Sequence, residues 1–332
     1  MQDYITTYWF LGFLVFTPVL RTVPWLNVWV FYAYAFSLIS AQFPVYLDEL
    51  TIPLRVSMEN FTNNFLVWLL VFVLFMKYEF SNLKVERVLR AILTLLLVSG
   101  VAAFVFEQFI YDKHRIPYFY GIIPNKGMNA ILLVTLLPFF LNRYLFMLVT
   151  LFVIDSKSSS ALLSYLTFCS LYLVMNKKIN YKYVLGAIGF VVAYALFDDG
   201  LFNGTTRFPA YKFFFSFMNP WNYLFGFSSG SFFPMSVFLQ DRYRFQLETG
   251  LHLWAHSDPF QYFFEFGLIG VPPLLYTMGG VLKYAERRSL LAFGAFLAGS
   301  LFYYPFHFPI HLIVLVLLVK MSVNNYSSLK AL

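Results

Sequence analysis

Charge is what this chain has least of. Only 12% of its 332 residues are Asp, Glu, Lys or Arg, against 60% hydrophobic ones. Soluble domains carry about 25% charged residues. With so little polar surface and a mean hydropathy of +0.69, the chain is expected to have a lipid bilayer as its solvent. Cysteine is nearly absent too. Cys169 stands alone in an apolar run, which excludes an internal disulfide. There is no phosphate-binding Gly-x-x-x-x-Gly-Lys loop and no His-Glu-x-x-His zinc motif, and no internal repeat. A cleavable leader is not expected either. The first apolar segment has no basic residues before it and no small-residue cleavage site, and Arg21 follows it. The net charge of +7 does not describe a nucleic-acid-binding domain, because the cations lie in short loops between membrane-length segments.

What is present is a series of apolar segments. They run over 4–20, 24–43, 64–78, 88–110, 127–141, 144–155, 158–175, 181–198, 259–283, 288–304 and 308–321. Several fall short of the roughly 20 residues that cross a hydrocarbon core unaided, so the middle ones are expected to be broken or partly buried. The pattern predicts one all-α polytopic membrane domain over 1–332, with about eleven spans (ten to twelve) and a single long loop over 199–258.

Lys and Arg set the orientation. One side of this arrangement holds 14 basic and 3 acidic residues; the other holds 9 basic and 13 acidic. The basic side is expected to face the cytoplasm, which turns the loop 199–258 and all five histidines (His114, His252, His256, His307 and His311) outward. Ionisable groups at membrane depth are costly and usually functional, so their gathering at one face points to a site there.

The cations on this outer face lie where helices are expected to begin or beside the long loop. Lys126 sits in "GIIPNKGMNA" and Lys157 in "DSKSSSALL". Hydroxyls and free backbone N–H groups at a helix start favour an anion. Arg207 opens "RFPAYKFFFSF", and Arg242 and Arg244 precede the histidines. Guanidinium groups suit phosphate oxygens, and Lys supplies a point charge. The same cations also fit a plainer role, neutralising Asp198, Asp199, Asp241 and Glu248 or reaching to lipid phosphates. "LFDDG" at Asp198 and Asp199 reads as a helix cap or as an acidic pair for a divalent metal.

The most unusual stretch is "LHLWAHSDPFQYFFEFGLIG", from Leu251 to Gly270. His252 and His256 are four residues apart, so a helix would put them on one face. Three readings stand open for them: zinc ligation, for which no further ligand is evident; general base chemistry, with Asp258 or Glu265 orienting the imidazole; and a histidine that hydrogen-bonds a loop at the interface.

These residues carry a resemblance. "AHSDPFQYFFEFGLIG" resembles the signature of the bacterial O-antigen ligase and polymerase superfamily, in which His-Asn/Ser-Asp-x-x-Leu-Gln leads into a helix with Glu-x-Gly-x-x-Gly. His256, Ser257, Asp258, Gln261, Glu265, Gly267 and Gly270 match, with Phe260 where Leu is common. Upstream, Arg207, Pro220, Gly226 and Gly230 resemble the family's Arg, aromatic helix, Pro and Gly-x-Gly-like turn, although Gly-Phe-Ser-Ser-Gly is looser. Asn125 matches the later asparagine of an Asn-Pro-Asn helix start. Lys157 stands where a Ser-Arg-Gly-Ala start has Arg. The four stretches occur in family order over roughly 115–275.

The resemblance implies a glycosyltransferase-C-like membrane enzyme in a bacterial inner membrane, with its site on the periplasmic face and no cofactor or metal. It would move a glycan from undecaprenyl diphosphate to a glycan, lipid or protein hydroxyl, with inversion. His256 would be the base. Arg207, Lys157, Lys126, Arg242 and Arg244 would hold the diphosphate, with Asp258, Glu265, His252 and Asn125 in support. The other functions weighed are a transporter or flippase of lipid-linked glycans, which usually shows related halves and midplane polar sites, and a passive scaffold of envelope assembly.

Overall fold

The computed structural model describes residues 23–40, 80–109, 123, 125–176, 207–242, 257–303 and 309–330, with isolated positions at 69, 72, 75 and 76. Among the described residues the chain is α-helical and contains no strand. In chain order the helices are α1 (Pro24–Ser40), α2 (Asn82–Phe109), α3 (Lys126–Leu136), α4 (Arg143–Ser156), α5 (Ser159–Met175) and α6 (Arg207–Phe215). They continue with α7 (Pro220–Phe225), α8 (Phe232–Arg242), α9 (Asp258–Tyr284), α10 (Arg287–Ser300) and α11 (Pro309–Lys330).

These helices do not map one to one onto the expected spans. Two of them, α9 and α11, are long and apolar enough to cross a membrane. The expected segment 127–141 is shorter as a helix. α3 has 11 residues and gives way to a 3₁₀ turn, Leu137–Phe139, because Pro138 has no N–H to continue the ladder. The stretch 199–258 holds three helices, α6 to α8, within what reads as a loop in the sequence. The expected segments 4–20 and 181–198 lie outside the described residues, as does most of 64–78.

The chain divides into two compact units. The first comprises Met1–Glu79, Thr205–Tyr284 and Ser322–Leu332, the second Phe80–Gly204 and Ala285–Met321.

In the second unit α3 is the central element. Every residue from Gly127 to Leu136 is buried, as expected of a helix apolar all round. α2, α4, α5 and α10 pack around it. The contact between α5 and α10 uses small residues. Ala292, Ala295 and Ala298 are buried, Gly294 lies against Leu171, and the Ser164 hydroxyl donates to the Ala295 carbonyl at 2.8 Å. Small side chains let helix backbones approach closely, the usual basis of helix association in lipid.

In the first unit α1 packs along α9. The Trp25 ring covers Gly280, and the Thr277 hydroxyl donates to the Trp25 carbonyl at 2.6 Å. The rest of this unit is an aromatic cluster built from α6, α8 and the first turns of α9. It is centred on Phe214, Phe227, Phe232 and Phe264, with Met218 and Met235 filling between the rings.

Candidate functional site

In the first unit the candidate site is organised by a break in a helix. At Gly267, inside α9, the backbone takes φ 63° and ψ −169°. At Gly226, the C-cap of α7, it takes φ 72° and ψ −169°. This region of backbone space is open to little but glycine. The two glycines lie against each other: a Cβ on Gly226 would collide with the Glu265 carbonyl, and one on Gly267 with Gly226 N and the Leu224 carbonyl. The break deprives carbonyls of α9 of their intrahelical donors. The turn after α7 supplies replacements, with Phe227 N–H donating to the Phe264 carbonyl at 3.0 Å and Ser228 N–H to the Glu265 carbonyl at 3.0 Å. Irregular backbone at membrane depth is tolerable where protein groups satisfy it in this way.

The Glu265 side chain closes the same junction. Its Oε2 accepts from Gly230 N–H at 2.9 Å. Its Oε1 accepts from Gln261 Nε2 at 3.0 Å and from Phe232 N–H at 3.4 Å. Phe232 opens α8, so the buried carboxylate sits at the positive end of that helix and takes up N–H groups that have no partner within it. The glycine-containing turn of residues 226–230 thus has an acceptor of the chain's own in Glu265. Ser229 within it accepts from the Ser37 hydroxyl at 2.7 Å. Across the break, the Tyr262 hydroxyl accepts from Trp29 Nε1 at 3.1 Å and donates to the Gly270 carbonyl at 2.8 Å.

α9 begins immediately after the histidines of the signature. Ser257 caps it, its hydroxyl accepting from Phe260 N–H at 3.4 Å. Asp258, buried in the first turn, carries negative charge where the helix dipole favours it. Phe260, two residues on, stacks on Tyr211 of α6 with ring centroids 4.2 Å apart. Arg207 is the first residue of α6 and Arg242 the last of α8; their side chains lie outside the described residues, as do His252, His256 and Arg244 altogether.

The second unit holds the other predicted cations. Asn125 caps α3, its side-chain oxygen accepting from Met128 N–H at 3.1 Å, and its Nδ2 donates to the Tyr303 hydroxyl. Ser158 caps α5 by accepting from Ala161 N–H at 3.3 Å. The two helix starts meet, since a Cβ on Gly127 would approach the Ser158 hydroxyl to 2.7 Å. Two positive helix ends side by side favour an anion. Lys126 pairs with Asp155 at 3.2 Å, so part of its charge is already offset. Lys157 occupies the left-handed C-cap of α4 at φ 49°; its side chain is exposed and makes no ion pair among the described residues. His311 is buried and its Nε2 donates to the Met128 carbonyl at 3.0 Å, the bond of a wall residue. Among the described residues no three His, Cys, Asp or Glu side chains are grouped as metal ligands.

Four features were not anticipated from the sequence: the break at Gly267, the Asp155 partner of Lys126, the Tyr303 partner of Asn125 and the stack of Tyr211 on Phe260. Only the break has a sequence signal, since Gly267, Gly270, Pro272 and Pro273 crowd one apolar run. Taken with its helices of membrane-crossing length, the class defined here is an all-α protein with a broken helix pinned by a buried carboxylate. No family model and no curated protein matches the chain.

Proposed function

We propose that the chain is a polytopic membrane glycosyltransferase of the O-antigen ligase and polymerase kind, with about eleven spans and its site on the extracytoplasmic face. The donor is a glycan on undecaprenyl diphosphate and the acceptor is a hydroxyl of a glycan, lipid or protein. The acceptor oxygen attacks the anomeric carbon from the side opposite the diphosphate. The new glycosidic bond forms as the bond to phosphate breaks, and configuration inverts. His256 takes the hydroxyl proton; a neutral imidazole with a pKa near 6.5 suits that task. Arg207, with Arg242 and Arg244, holds the diphosphate and stabilises the charge it gains on leaving, and Lys126 and Lys157 are the anion-binding candidates of the second unit.

The observation that carries this reading is the pairing of two of the family-like stretches. The helix opened by Arg207 and the helix that follows His256 are joined through Tyr211 and Phe260. The paired starts of α3 and α5, with exposed Lys157 beside them, add an anion-favouring surface in the second unit.

The broken helix favours a second reading, a transporter of lipid-linked glycans, because discontinuous helices line many transport sites. Against it, the Phe264 and Glu265 carbonyls at the break are already bonded to the turn of residues 226–230. Replacing His256 and Arg207 by Ala, singly and together, in cells that depend on the protein tests the enzyme. Loss of transferred glycan at normal protein level is expected; undiminished transfer by the double variant overturns the proposal. Movement of labelled lipid-linked sugar across acceptor-free vesicles would establish the transporter instead.

A further inference from the structure

The second unit carries a basic end that the glycan-transfer reading does not use. α2 buries one line of residues, Val85, Leu89, Leu93 and Leu96. Its exposed side carries Lys84, Arg87 and Arg90 in the first turns, interleaved with Leu83 and Val88, and beyond them shows Leu95, Val98 and Val105, with no further charge as far as Val105. At about 1.5 Å per residue, Arg87 to Val105 spans roughly 27 Å, close to the ~30 Å of a bilayer core. α4 repeats the arrangement. Arg143 is exposed at its start, and Tyr144, Met147, Leu151 and Ile154 follow on one face, each between 62% and 69% exposed.

The two helices start at the same end. The Arg90 guanidinium lies 5.1 Å from the Phe140 ring centroid, three residues before Arg143, and further along Gly100 lies against the Phe152 ring. Arg143 is held over the Tyr144 ring at 4.7 Å and donates to its hydroxyl. Among the described residues the acids at this end are engaged: Glu86 with Arg288 at 3.7 Å, and Glu286 with the Asn82 amide at 3.2 Å. Lys84 and Arg87 make no ion pair among the described residues.

We infer that Lys84, Arg87, Arg90 and Arg143 bind the headgroup of an anionic phospholipid whose acyl chains lie along the exposed apolar faces of α2 and α4. Charge complementarity selects the headgroup, and the turn from cationic to apolar on both faces selects a lipid over a free phosphate. The inference rests on the membrane placement of the chain and not on its activity.

Purified full-length protein in uncharged detergent is incubated with phosphatidylglycerol, with phosphatidylcholine of the same acyl chains, or with inorganic phosphate. Native mass spectrometry counts retained lipid, and the thermal midpoint is read in parallel. Preferential retention of phosphatidylglycerol and a raised midpoint are expected, weakened by salt. At about fivefold per cation near a membrane surface, the triple variant Arg87→Gln, Arg90→Gln, Arg143→Gln weakens retention roughly a hundredfold. Equal retention of the two lipids, undiminished retention by the triple variant, or equal stabilisation by phosphate overturns the inference. Should the triple variant not fold, salt decides on the unaltered protein, and a phosphatidylglycerol preference unchanged at 1 M salt overturns it. A chain that stays soluble without detergent overturns the membrane placement itself, an outcome distinct from the others.

Discussion

Tyr211 and Phe260 stack with ring centroids 4.2 Å apart and planes 22° from parallel. Each follows by four residues a side chain proposed to act in catalysis, Arg207 and His256 respectively. The stack joins the starts of α6 and α9. Offset aromatic pairs contribute about 0.5–1.5 kcal/mol beyond their buried area. A double-mutant cycle with Tyr211→Leu and Phe260→Leu is expected to return a coupling energy in that range from detergent-solubilised thermal unfolding. Additive effects would show that the rings do not depend on each other.

The crossing of Gly226 and Gly267 predicts a sharp contrast among glycines. Gly226→Ala and Gly267→Ala each force a Cβ into backbone atoms at positive φ, a strain with no flexible neighbour to yield. Each is expected to cost more than about 2 kcal/mol or to abolish folding. Gly279, on the same helix as Gly267, has nothing within 4 Å of a built Cβ. Gly279→Ala is expected to be neutral or to stabilise by up to about 1 kcal/mol. Expression level and midpoint of unfolding, compared across the three, check this.

Much of this arrangement was legible in the sequence, for reasons that separate the cases. The long, near-continuous apolar runs read as helices, because a helix satisfies its backbone within one segment, and the described residues are helical. Asn125 and Ser158 belong to stretches that read as helix starts, and each caps a helix. Glu265 and Gly267 stand out by their match to the family-like Glu-x-Gly-x-x-Gly, yet the carboxylate's partners, Gly230 and Phe232, lie more than thirty residues away. Such contacts depend on the tertiary path, and periodicity carries no signal of them. The partnership of Lys126 with Asp155 was missed for the same reason: it joins the start of one helix to the end of another. The helices of 199–258 were hidden because α6 and α7 are short, where periodicity has too few turns to register.

Glu265 predicts a difference between charge and shape. Glu265→Gln keeps the volume but directs an amide N–H₂ toward donors, Gly230 N–H or Phe232 N–H, that now meet a carboxylate. Hydrogen bonds to a charged acceptor contribute about 1.5–3 kcal/mol, so a loss of that order is expected. Glu265→Asp, one methylene shorter, retains the charge but not the reach. Thermal unfolding of the three proteins measures it, and a Glu265→Gln variant as stable as the parent would remove the carboxylate from its place at the junction.

The proposed base predicts a direction with pH. His256 accepts a proton only when neutral, so turnover falls as pH drops through the pKa of its imidazole and levels off above it. One decade of rate per pH unit is expected on the acid limb when chemistry limits the rate. Purified protein with donor lipid and separate candidate acceptors provides the assay. With chemistry shown to be rate-limiting, a flat profile between pH 5 and 8 would assign the proton to another group. EDTA added to the same reaction is expected to leave turnover unchanged, since Arg207 and the other proposed cations are taken to offset the charge on the leaving diphosphate. Abolished turnover restored by a divalent ion would transfer that role to a metal and bring Asp198 and Asp199 forward as its ligands.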